Sequence, residues 1–260
     1  MASRTTASPF EEMAAGYDEV FTDTAIGTLL RRRVWRRLDR AFAPGERVLE
    51  LGCGTGEDAV HLASRGVRVL ATDAAAAMVQ ATRKKVLKAG VRSLVDVRQV
   101  SIEELSRVGG TFDGALSNFG AMNCVDDLPG VAHRLARRLR PGARAVLCFM
   151  GPVCPWEWLW FLLRGEPDKA FRRLSARVTW RSMEIHYPTI GAVRDAFADG
   201  FRTRSLRALG VFVPPSYAGE WAGRHPRLLR LLDDVEGLVE AWPPLPWLAD
   251  HFLIELERRR

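Results

Sequence analysis

The sequence predicts an α/β protein, a parallel sheet covered by helices on both faces. Three observations carry this. Short apolar segments suited to strands, near 47–52, 68–73, 95–100, 112–118 and 143–150, alternate with helical stretches. The first of them, Val48-Leu49-Glu50-Leu51, runs into the loop Gly52-Cys53-Gly54-Thr55-Gly56 and then into a helix. Asp73 closes the next strand, about 20 positions further on. A chain of 260 residues suits one domain with insertions and buries enough core to need no staples.

Taken in order, residues 1–43 start polar and turn helical, with Tyr17-Asp18 ahead of a basic segment at 30–38. There Leu30, Val34 and Leu38 recur every four positions, which predicts a helix with one buried stripe and a solvated basic face. Residues 44–150 form the alternating core, punctuated by Gly90, Gly109-Gly110 and Pro141-Gly142. Then the rhythm breaks. A first insertion, 151–188, opens on Gly151-Pro152 and holds an octet, 156–163, that is apolar apart from Glu157. Helical periodicity returns at 190–198, and a strand near 201–213 stops at Pro214-Pro215. A second insertion, 214–248, carries a helical stretch at 227–240 and the turn Trp242-Pro243-Pro244-Leu245-Pro246. The last strand begins at His251.

Gly52, Gly54 and Gly56 suit a loop that turns sharply and lets a ligand lie against the backbone. The helix amides then face that ligand, and an acid where Asp73 stands suits two ribose hydroxyls. Gly54-Thr55-Gly56-Glu57-Asp58-Ala59 meets the dinucleotide form G-x-G-x-x-A only loosely. Glu57 and Asp58 at the helix entry repel a pyrophosphate, whereas a sulfonium cation is favoured by acids there and by Glu50 before the loop.

Four landmarks in order then carry a resemblance. Glu50-Leu51-Gly52-Cys53-Gly54-Thr55-Gly56 resembles the first motif of class I S-adenosylmethionine-dependent methyltransferases, and Val69-Leu70-Ala71-Thr72-Asp73 with Ala74 and Met78 resembles the second. Phe112 to Asn118 resembles the fourth strand, whose end faces the methyl donor, and Leu139-Arg140-Pro141-Gly142 the turn before the fifth. The resemblance implies a Rossmann-like seven-stranded sheet of order 3-2-1-4-5-7-6, its last strand antiparallel, with helical insertions over the active site. It implies S-adenosylmethionine as cofactor, bound by Tyr17 from an N-terminal cap and by Glu50, Gly52, Gly54, Gly56, Asp73, Ala74, Met78, Ser101, Ile102 and Asn118. Ser101 stands where the family often has an aspartate on the adenine amino group, and a hydroxyl binds adenine less strongly.

Composition narrows the function. Hydrophobic content of 47% with 27% charge belongs to a soluble globular chain. Cys53, Cys124, Cys148 and Cys154 have no C-x-x-C spacing, which argues for reduced residues and no metal site. No secretory apolar run follows Met1-Ala2-Ser3-Arg4, so a cytoplasmic location is expected. The net charge of +7 is nearly all arginine, which reads as the codon bias of a GC-rich bacterial genome. With no appended nucleic-acid module, and no N/D-P-P-Y/F motif in 118–123, a nucleic-acid substrate is not expected.

The expected function is methyl transfer to oxygen or carbon of a small, largely apolar acceptor such as a natural-product, quinone-like or lipid intermediate. Two rivals stay open: an S-adenosylmethionine-binding enzyme that catalyses a cyclisation or rearrangement, and an inactive S-adenosylmethionine-binding partner protein. Trp156 and Trp160 of the octet, with Asn123 and Tyr187, are expected on the substrate side. The octet reads as a roof over that pocket or as plain core, with weak membrane-surface contact a further reading. His186, between the fifth strand and the next helix, is the candidate general base.

Overall fold

The computed structural model describes residues 9–260, so the reading of Met1-Ala2-Ser3-Arg4 and the start of the cap lie outside the described residues. The chain begins with α1 (Pro9–Met13) and a π-helical turn (Asp18–Thr22), then the long α2 (Ala25–Ala41). The core follows as β1 (Arg47–Leu51), α3 (Glu57–Ser64), β2 (Arg68–Asp73), α4 (Ala76–Lys88), β3 (Val95–Gln99), β4 (Phe112–Ser117), α5 (Leu128–Ala136) and β5 (Leu139–Met150). The first insertion folds into α6 (Pro155–Leu162), α7 (Pro167–Phe171) and a hairpin, β6 (Arg177–Trp180) with β7 (Met183–His186). Then come α8 (Ile190–Phe197), β8 (Phe201–Leu209), α9 (Gly219–Arg224), α10 (Pro226–Val239) and β9 (His251–Arg258).

Seven strands form one sheet in the order β3-β2-β1-β4-β5-β9-β8. β9 runs antiparallel to both of its neighbours. Counted within the sheet alone, this is the expected order; the label difference comes from the β6–β7 hairpin, which the periodicity did not announce. Because β3, β2, β1 and β4 are parallel neighbours, the residues just after them converge on one edge. Ser101, Asp73, Gly52 and Asn118 therefore stand near one another although they are far apart in sequence. Ligands of open parallel sheets bind beyond the carboxyl ends of the strands, where the strand order reverses, and β1 and β4 flank that point here.

Two apolar layers sandwich the sheet. One packs Val131 and Leu135 of α5 and Ile190, Val193 and Phe197 of α8 against it. The other packs Ile26, Leu30, Val34 and Leu38 of α2 with Leu62 of α3 and Val79 and Val86 of α4. The stripe expected on α2 is buried. Its basic face is not wholly solvated, however: Arg31 and Arg33 are buried as well, each held by carboxylates from other elements. No helix among the described residues is long and apolar enough to cross a membrane.

Candidate active site

β1 ends into a loop that only glycine closes. Gly52 sits at φ +69°, and a Cβ there meets the Ala121 Cβ at 2.3 Å. The Gly54 amide donates to Asp73 Oδ2 at 2.9 Å and the Ala75 amide to Oδ1 at 2.9 Å. Each carboxylate oxygen so keeps a lone pair for a ligand. Burial raises the Asp73 pKa above the ordinary value, outweighing the amides that favour its charge.

A cavity of about 220 Å³ opens above this loop. Tyr17, Gly52, Gly54, Asp73, Ala74, Met78, Ser101, Ile102 and Asn118 line it, and so all of the expected donor-side residues meet there except Gly56 and Glu50. Gly56 faces α4, where a Cβ meets Thr82 Cγ2 at 2.6 Å, so its role is close packing of loop on helix. The Glu50 side chain is buried on β1 with Oε2 unpartnered. Burial, with the charges of Asp58 and Asp73, lifts its pKa well above the carboxylate range, which leaves it poorly suited to attract a cation. The rest of the wall is mostly apolar: Phe10, Phe119, Ala121, Cys124, Val125 and Met183, with Glu103 the added carboxylate.

Sequence reasoning missed a cluster beside the loop. Asp58 accepts from Arg31 Nη1 through both oxygens at 3.0 Å, from Trp35 Nε1 at 2.7 Å and from Asn118 Nδ2 at 2.9 Å. Arg31 stacks on the Phe119 ring, 4.8 Å from its centroid, and its buried Nε has no partner. Burial works against that charge, but Asp58 outweighs it and the Arg31 pKa is raised. A small cavity of about 30 Å³ separates Arg31 and Asp58 from Gly54 and shares Tyr17, Asn118 and Phe119 with the large one. The signal was available in the spacing of Arg31 and Trp35, one turn apart on α2, but their direction depends on how α2 docks on α3. The cluster also revises the argument from charge at the helix entry, since Asp58 is neutralised by Arg31 and Glu57 by Lys85.

Residues 9–22 close the site from above. Glu11 accepts from the Ala76 and Ala77 amides at the start of α4, and Asp18 from Thr55 Oγ1 at 2.6 Å and Lys85 Nζ at 2.6 Å. Phe21 packs edge-on against Phe119, with ring centroids 4.9 Å apart.

The expected substrate side is placed elsewhere. His186 lies on β7, 3.8 Å from the Asp126 carboxylate, in a separate shallow groove with Leu128 and Pro188. Strand alternation explains it: Met183 reaches the cavity and His186, three positions on, faces the other way. Tyr187 is buried beneath the Arg173 guanidinium and borders that same groove. Asn123 is a clamp, its amide accepting from the Met150 amide and donating to the Met150 and His186 carbonyls. Trp156 donates to the Val211 carbonyl, and Trp160 is sandwiched by Tyr217 and Arg164. Neither tryptophan lines the cavity, so the octet is not its roof; the β6–β7 hairpin and α1 supply the outer wall.

Residues 48–142 match a family model described as a methyltransferase domain. Over that stretch, which is under half of its length, the chain is similar to methyltransferase domains. Among similar proteins, a demethylmenaquinone methyltransferase of Clavibacter sepedonicus is 33% identical over 150 residues, which is 56% of this chain and 58% of that protein. A 2-phytyl-1,4-naphtoquinone methyltransferase of Synechococcus elongatus is 31% identical over 148 residues, 54% of this chain and 61% of that protein. The match therefore spans less than two thirds of either relative. The fold is shared with an S-adenosylmethionine-dependent methyltransferase from Mesorhizobium loti at a TM-score of 0.57 and 19% identity, over 88% of this chain and 98% of that one.

Proposed function

We propose that this chain transfers a methyl group from S-adenosylmethionine to carbon or oxygen of a small apolar acceptor of the quinol type. The observation that carries the proposal is a single cavity whose lining joins Gly54, Asp73, Ser101 and Asn118 with the apolar Phe10, Phe119, Val125 and Met183. Relatives named for naphthoquinone substrates support the acceptor class. The residues fit the donor. Asp73 has lone pairs free for ribose hydroxyls, Ser101, Ile102 and Met78 suit adenine, and Arg31, on the small adjoining cavity with Nε unpartnered, suits the donor carboxylate. When bound, S-adenosylmethionine supplies a methyl group already activated by a sulfonium, so the chain's main contributions are alignment and dryness.

The remaining chemistry is a proton. Among the described residues no histidine lines the cavity; its titratable side chains are Tyr17, Asp73, Glu103 and Cys124. Burial raises the Tyr17 pKa and pushes Cys124 up to about 12, so both stay protonated at neutral pH. Asp73 is engaged by loop amides. Glu103, exposed at the rim, is the group left to accept a proton from an acceptor hydroxyl.

The test supplies S-adenosylmethionine with a deuterated methyl group and a set of reduced naphthoquinones, and follows the label by mass spectrometry. Label in the quinol with release of S-adenosylhomocysteine supports the proposal. Donor binding without any release, or a rearranged and unlabelled acceptor, refutes it. Glu103→Gln is expected to lower turnover by about 10²-fold, the lower end for general-base catalysis, while donor affinity holds.

A further inference from the structure

α10 is built inside out. A surface helix ordinarily buries its apolar stripe, yet here the inward face buries Leu229 alone among the leucines and is otherwise largely acidic. Asp233 and Glu240 pair with Arg33, Glu240 also with Arg37, and Glu236 accepts the amides of Gly210, Val211, Phe212 and Val213. The outward face carries Leu228, Leu231, Val235 and Leu238, spaced three, four and three apart, with Leu231 57% and Leu238 79% exposed. Trp242 and Trp247 in the turn beyond are exposed too, Trp242 by 64%.

Charge is sorted by the same inversion. Three carboxylates of this segment are consumed inward, and of its acids Asp234 alone is exposed, whereas Arg227 and Arg230 are exposed beside the apolar stripe with no carboxylate partner among the described residues. An apolar ridge flanked by arginines and ended by tryptophans matches an anionic lipid surface: leucines enter the acyl boundary, arginines meet headgroup phosphates and indoles sit between. A second copy fits less well. Two-fold pairing of the stripe, Leu231 against Val235, brings the Asp234 of each copy together.

We propose that α10 and the tryptophans after it dock this protein, helix axis in plane, on an anionic membrane surface. The ridge is separate from the donor cavity and the proposal does not depend on the acceptor. The experiment is flotation of the full chain with vesicles of phosphatidylcholine alone or mixed with phosphatidylglycerol, at rising salt. Binding is expected on the anionic vesicles, weakening with salt, and little on phosphatidylcholine. Leu231→Glu with Leu238→Glu should abolish it, and Arg227→Glu with Arg230→Glu should lower it by about fivefold or more per arginine. S-Adenosylhomocysteine binding measured by calorimetry should be unchanged in both variants, which separates lost docking from lost folding. The proposal is overturned if the wild-type chain stays unbound on anionic vesicles at low salt, or if both variants float as well as it does. It is equally overturned if light scattering finds a dimer that the leucine variant dissolves without any vesicle binding, since a second copy then covers the ridge.

Discussion

In the proposed function, Asp73 concentrates the donor's recognition in one carboxylate. Hydrogen bonds to a charged group are worth about 1.5–3 kcal/mol, so Asp73→Ala should weaken S-adenosylhomocysteine binding by roughly ten- to a hundredfold in calorimetry. The ionised form is the one that accepts from two hydroxyls, and burial raises the Asp73 pKa above its ordinary value. Affinity should therefore be full at neutral pH and fall as pH drops through that raised pKa, above the usual aspartate range. Asp73→Asn should flatten the profile. At His186 the geometry predicts the opposite of a catalytic base: His186→Ala should keep turnover within about fivefold, well short of the 10²–10⁴ typical of general-base loss. The contrast shows what was legible. Gly52, Asp73 and Ser101 could be read because strand ends in a parallel sheet share an edge whatever surrounds them. His186, Asn123 and Trp156 could not, because their directions are set by an unannounced hairpin and by contacts with Met150 and Val211.

At the scale of elements, hydrophobic periodicity says which residues share a face and leaves open which face turns inward. On α2 the apolar stripe is buried and the guess holds; on α10 Leu229 is buried but the stripe of Leu228, Leu231, Val235 and Leu238 is exposed. The first insertion repeats the lesson in α6, whose only buried residue is Glu157, held by Arg172 and Arg173, while Leu159 and Leu162 face outward. In α6 and α10 the buried carboxylates are held by arginines or backbone amides that no local helical window contains. Glu236 gives the sharpest test. Glu236→Ala strips the acceptor from four amides after β8, and a buried unsatisfied group costs about 1–3 kcal/mol. With partial rescue by water, a loss of about 3 kcal/mol is expected, which is roughly 6–12 °C in the melting temperature of a chain this size. Thermal unfolding followed by circular dichroism should show it, with Asp234→Ala, one exposed turn neighbour, shifting little. An equal melting temperature for the two variants refutes the role given to Glu236.

For the whole molecule, the sheet order was legible from the alternation of strands and helices together with the family motifs, and the placement of both insertions was not. Of the expected donor-side lining, the residues at or after the ends of β1, β2, β3 and β4 fall within residues 48–142, the part matched by the family model, whereas Tyr17 lies before it. The outer wall borrows Phe10 and Tyr17 from before that stretch and Met183 from after it. The matched stretch and the hairpin thus supply different parts of one cavity. Exchange of the β6–β7 hairpin for one of different shape would remake the wall at Met183 and the acceptor it admits, while Gly52, Gly54, Asp73 and Ser101 stay in place for the donor.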